Sequence, residues 1–130
     1  AEGIMRQIEP ELTVDSAGTS DWHIGDPPYE PMIRAARQRG VDLTDLRARM
    51  LEPKDFDRFD LIVVMDRKNA ARAEALRPRA STTPVTLLAS YGHGPETEIP
   101  DPYYTRDFGG ALDLIEGGCR GLRAALRDDV

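Results

Sequence analysis

The chain has 130 residues, 40% of them hydrophobic and 31% charged, the balance expected of a single globular domain with one well-buried core. Its 17 basic and 23 acidic residues leave a net charge of −6, which argues against a nucleic-acid binder but allows an anionic small substrate held by local positive charge. No apolar run has the length of a membrane span, the first residues do not read as a signal peptide, and the single cysteine, Cys119, excludes an internal disulfide and a cysteine-based zinc site, so a cytoplasmic protein is expected.

In chain order, Ala1 to Gln7 reads as a short helix and Leu12 to Asp15 as a short strand, followed by a polar loop from Ser16 to Pro28. A helix is predicted from Pro31 to Arg39, with proline suited to its first turn and Gly40 to its end. Asp55 to Arg58 reads as a short helical turn after Pro53. Leu61 to Met65 (LIVVM) is the clearest strand, because a continuous β-branched apolar run suits a parallel strand covered on both faces. Asp66 ends it and Lys68 to Leu76 follows as a helix. Val85 to Leu88 is a further apolar strand, and Ser90 to Phe108 a long loop rich in Gly and Pro. The last predicted helix, Ala111 to Leu126, carries Leu112, Ile115, Cys119, Leu122 and Leu126 at helical spacing.

Alternating strands and helices predict a three-layer α/β fold: a small parallel sheet flanked by helices. A sheet of three strands is thin for such a fold, and an opening helix normally returns from a strand. A further strand and turn are therefore expected upstream of Ala1.

Five segments then carry a resemblance: AEGIMR from Ala1, DSAGTSDWHIGDPP from Asp15, RGVDLTDLRAR from Arg39, FDLIVVMDRKN from Phe59 and PDPYY from Pro100. Their order and spacing resemble the low-molecular-weight protein tyrosine phosphatases over nearly the whole chain. The resemblance implies a four-stranded parallel sheet whose first strand feeds a C-x5-R-[ST] phosphate loop, with Ala1 to Gln7 as the helix after that loop. Neither that strand nor that loop is among these residues. Cys119 does not replace it, since Ala125 stands where the arginine would be, and its place on an apolar helical stripe reads as a small buried hydrophobe. Two departures stand out: the stretch from Ala1 to Asp15 is short for the family, and Leu46 occupies a position where many relatives carry a polar residue that helps order the phosphate loop.

The chemistry this implies needs no cofactor and no metal. A thiolate at a helix N-terminus, stabilised by backbone N–H groups, attacks the phosphate, and an arginine fork holds the oxygens. By resemblance Asp101 is the general acid for the leaving oxygen and then the base for water. Taken alone, Pro-Asp-Pro is more simply a turn. Tyr103 and Tyr104 are expected to wall the site, at least one of them facing the cleft and the other in part packed inward, with Trp22 on the opposite rim. A Trp packed beneath its own loop is the plainer alternative. Ser16 is expected to support the phosphate loop, or else to bond its own turn. Asp66 is read as a helix cap. His23 and His93 show no metal-like spacing.

The expected activity is hydrolysis of phosphotyrosine in a protein, or of a small aryl phosphate, with inorganic phosphate as product, by a monomer or weak homodimer. Alternatives are a phosphoarginine phosphatase on the same fold or a catalytically inactive binding module. Arsenate reduction would require further cysteines.

Overall fold

The computed structural model describes residues 1–19 and 24–128, so the expectation for Trp22 falls outside the described residues. Its elements are α1 (Glu2–Ile8), α2 (Glu30–Gln38), α3 (Asp55–Arg58), β1 (Ile62–Val64), α4 (Arg67–Leu76), β2 (Val85–Leu87), a 3₁₀ turn (Leu88–Tyr91), α5 (Pro102–Thr105) and α6 (Phe108–Asp128). The strands pair in parallel with Ile62 opposite Val85, Val63 opposite Thr86 and Val64 opposite Leu87. They are joined through α4, as parallel neighbours require a crossover. The fold is α/β, a small parallel sheet flanked by helices.

Local chemistry sets the ends of these elements. Asp66 caps α4 by accepting the Asn69 N–H at 2.8 Å. Gly40, at φ 80°, closes α2: its N–H reaches the Arg37 carbonyl and Val41 N–H the Ala36 carbonyl, both at 3.0 Å. That double bond pattern needs a left-handed residue, which glycine adopts without strain.

The core gathers Ile4 and Met5 of α1, Ile33 and Ala36 of α2, Leu88 and Ala89 of the 3₁₀ turn, and Ala111, Leu112, Ile115, Cys119 and Leu122 of α6. Helix α6 lies close against the 3₁₀ turn because Gly118 and Gly121 face it. A Cβ on Gly118 would stand 2.7 Å from the Leu88 carbonyl oxygen, and one on Gly121 would overlap the carbonyl of Tyr91. Among the described residues no helix is long and apolar enough to cross a membrane.

Two expectations are corrected. Leu12 to Asp15 is not a strand, so the sheet has two described strands, not the three read from the sequence. A strand exists only through a partner, and the Val14 carbonyl is taken by the Arg6 guanidinium at 2.8 Å instead of a ladder. The chain pairs slightly later, at a single parallel bridge between Gly18 and Met50. Neither tyrosine of the pair packs inward: Tyr103 is 56% and Tyr104 80% exposed.

Candidate active site

The segment that carries Asp101 is fastened to the carboxyl end of β1, where sites of open parallel sheets form. Ile99, buried, donates its N–H to the Met65 carbonyl at 2.8 Å. Glu98 accepts both the Arg67 backbone N–H, at 3.1 Å, and the Arg67 guanidinium, at 3.0 Å, while Thr97 Oγ1 takes a further Arg67 donor at 3.1 Å. The turn from β1 into α4 thus pins the loop immediately before Pro100.

Asp101 comes next, held extended (φ −73°, ψ 115°) as a residue before proline must be. It caps α5, with Pro102 at the helix start, and its Oδ1 accepts the Tyr103 N–H at 3.0 Å. The carboxyl group is exposed, so a proton can reach it from solvent or a bound molecule. Cap and acid are compatible roles, since the cap hydrogen bond involves Oδ1 and not Oδ2.

Around α5 the structure assembles an aromatic surface that sequence reading grasped only in part. Tyr103 packs edge-on against Tyr104, centroids 5.2 Å apart, and meets Tyr29 at 5.3 Å. Tyr29 in turn lies 6.0 Å from Phe108, at the start of α6. Arg106 ends α5 in a left-handed conformation (φ 61°), and its guanidinium sits over the rings of Tyr29, at 5.5 Å, and Phe108, at 5.4 Å. Its Nη1 donates to the Tyr29 hydroxyl at 2.7 Å. Tyr29, Arg106 and Phe108 carry no motif or spacing that would have marked them. Their association arises because the loop before α2 and the start of α6 come together in space.

Ser16 belongs to a second group. Its hydroxyl donates to Glu2 at 2.5 Å, reaching the first turn of α1 instead of its own turn. Glu2 is buried and also pairs with Arg6 at 2.6 Å. Next to Ser16, Asp15 accepts Arg49 Nε at 3.0 Å, and Arg49 grips buried Asp55 with two hydrogen bonds of 3.0 and 3.1 Å. Burial raises the Asp55 carboxyl, but the Arg49 hydrogen bonds, the Glu52 N–H and the charges of Arg49 and Arg58 outweigh it and hold the group below the usual carboxylate range. Among the described residues no hydrogen bond or ion pair joins Ser16 to the Asp101 loop. Asp101, Tyr103 and Tyr104 share one short helix, and Ser16 is bonded to the first turn of α1.

Cys119 is wholly buried in α6, with its Sγ 4.0 Å from the Ala1 carbonyl oxygen. Burial pushes its thiol up from the ordinary value, the opposite of what a nucleophile needs. Leu46 packs against the core, which an apolar side chain favours and a polar one would not. Among the described residues no group of three or more His, Cys, Asp and Glu side chains is gathered to hold a metal ion.

A family model described as low molecular weight phosphotyrosine protein phosphatase matches residues 1–130. The chain is 32% identical to the low molecular weight protein-tyrosine-phosphatase YfkJ of Bacillus subtilis, over 99% of this chain and 87% of that protein. The crystal structure of YfkJ superposes with a TM-score of 0.91, covering 98% of this chain and 85% of the other. Identity to the low molecular weight protein-tyrosine-phosphatase PtpA of Staphylococcus aureus is 31%, over 94% of this chain and 80% of that one. Vibrio vulnificus Wzb, solved in complex with benzylphosphonate, is 26% identical and superposes with a TM-score of 0.80 over 93% of this chain and 84% of its own. The chain belongs to the low molecular weight phosphotyrosine protein phosphatases, a family of phosphoric monoester hydrolases.

Proposed function

We propose that this chain supplies the acid and the aryl-binding wall of a phosphatase acting on phosphotyrosine through a cysteinyl-phosphate intermediate. The observation that carries the reading is the placement of Asp101: exposed, set between two prolines, fastened to the end of β1 and adjacent to an exposed tyrosine pair. Cys119 is buried and its thiol is raised, so it is not the nucleophile of this reading.

In the first step the thiolate attacks phosphorus, an S–P bond forms, and the bond from phosphorus to the phenolic oxygen breaks. Asp101 gives its proton to that oxygen, so the product leaves as a neutral phenol. In the second step water attacks phosphorus, Asp101 takes the water's proton, and the S–P bond breaks to return the thiolate and release inorganic phosphate. Tyr103, Tyr104 and Trp22 border the ring of the substrate. The benzyl group of the ligand bound to Vibrio Wzb is the same kind of flat aromatic unit, which favours an aryl phosphate. Ser16, bonded through Glu2 to the first turn of α1, steadies the helix end that would face the phosphate.

The test is hydrolysis of an aryl phosphate by the full-length protein beside its Asp101→Asn form. Loss of roughly 10²–10⁴-fold in rate is expected, the worth of general acid–base help. Equal turnover by both forms would remove Asp101 from the mechanism. Absence of turnover from either would leave a binding module as the function of this chain.

A further inference from the structure

We propose that Arg106 is a specificity-determining residue that selects phosphotyrosine sites flanked by an acidic side chain. This rests on the phosphatase reading above and adds to it a substrate class, the acidic phosphopeptide.

Several arginines of this acidic protein pair with a carboxylate: Arg67 with Glu98 at 3.0 Å, Arg39 with Asp113 at 2.9 Å, Arg77 with Glu74 at 2.7 Å. Arg106 differs. Among the described residues it pairs with no carboxylate, and its one hydrogen bond goes to the neutral Tyr29 hydroxyl. The neighbouring carboxylate, Asp107, is occupied by the Gly110 N–H at 2.9 Å at the start of α6. A guanidinium has five N–H donors in a planar fork, and only one of them on this exposed residue has a hydrogen-bond partner among the described residues.

Its position is also fixed in advance. Two aromatic faces hold the guanidinium and the Tyr29 hydroxyl orients it, so little side-chain freedom is left to lose when an anion binds. A planar fork held in this way matches a carboxylate in two-point geometry, which a mobile lysine would not.

Distance decides which substrate position it reads. Asp101 caps and Arg106 terminates the same four-residue helix. At about 1.5 Å of rise per residue the two lie roughly 6–8 Å apart along the axis. An extended peptide advances about 3.3–3.6 Å per residue, so a side chain one or two positions from the phosphotyrosine comes level with Arg106.

The experiment uses the full-length protein and a pair of phosphotyrosine peptides identical except for Glu or Gln two positions from the phosphotyrosine. The ratio of their kcat/KM values is the readout, so any general effect of a substitution cancels. The parent is expected to prefer the Glu peptide by about three- to ten-fold at low salt, chiefly through KM, with the preference shrinking as salt rises. Arg106→Gln is expected to bring the ratio to about one, and Arg106→Lys to retain part of it. A ratio unchanged in Arg106→Gln, even with both rates lowered, would overturn the proposal and assign Arg106 to holding the loop. Should the parent turn over no phosphate ester at all, the phosphatase reading fails separately. Calorimetric binding of the same peptides carrying a non-hydrolysable phosphonate then decides: tighter binding of the Glu peptide that is lost in Arg106→Gln supports selection, and equal binding overturns it.

Discussion

The contact of α6 with the 3₁₀ turn and the loop from Thr97 to Phe108 are held together in opposite ways. In the first, a stripe of buried apolar side chains and two glycines bring backbone against backbone. In the second, the residues that matter are exposed, and the loop keeps its shape through hydrogen bonds to β1 and α4 and through rings packed on rings. Stability resides in the first region, and the second is where the chemistry is proposed. A carboxyl group that must exchange protons cannot be buried, and a surface that receives a substrate cannot already be filled.

This contrast can be broken by substitution. Asp101→Asn, expected to remove most activity, should leave the thermal midpoint nearly unchanged, because asparagine caps a helix as well as aspartate does. A marked loss of stability would mean that the loop is part of the core's support. The next largest effect is expected at the ion pair behind Ser16. Asp55→Ala removes two of the hydrogen bonds of Arg49 and leaves it Asp15, and should destabilise the fold by about 1.5–3 kcal/mol in denaturant titration.

The same carboxyl group predicts a pH dependence. Its folded value is depressed below 3.8, so its contribution is present above that pH and is lost as pH falls through the lower folded value. Melts between about pH 5 and pH 2 should show this decline, and Asp55→Asn should lack that part of the slope. Gly121→Ala places a methyl against the Tyr91 carbonyl and should cost about 1–3 kcal/mol, since α6 must shift outward. Tyr104→Ala, at an 80% exposed position, should change stability by no more than about 0.5 kcal/mol. A larger loss there would show that the tyrosine pair supports the loop.

Much of the scaffold was legible because its signals are local. LIVVM is apolar at every position and became β1, Gly40 ended α2 where a left-handed residue was required, and Asp66 capped the helix that follows. The stripe from Leu112 to Leu122 identified the buried face of α6 and gave Cys119 its place within it. The helix hidden in Pro102–Thr105 was not visible, because four residues bounded by Asp-Pro and a left-handed arginine carry no helical period.

The sequence by itself determined the elements whose cause lies within a few residues: apolar period, helix cap, glycine stop and the stiff Pro-Asp-Pro that presents Asp101. Only the tertiary structure decided that Leu12 to Asp15 would not be a strand, that Ser16 would bond Glu2, and that both tyrosines would face outward. The same holds for the joining of Tyr29, Arg106 and Phe108 around the helix that Asp101 caps. Each of these depends on a partner distant in sequence. A strand needs a neighbour, a hydroxyl takes whichever acceptor the fold brings to it, and a guanidinium stacks on rings that chain folding alone places side by side.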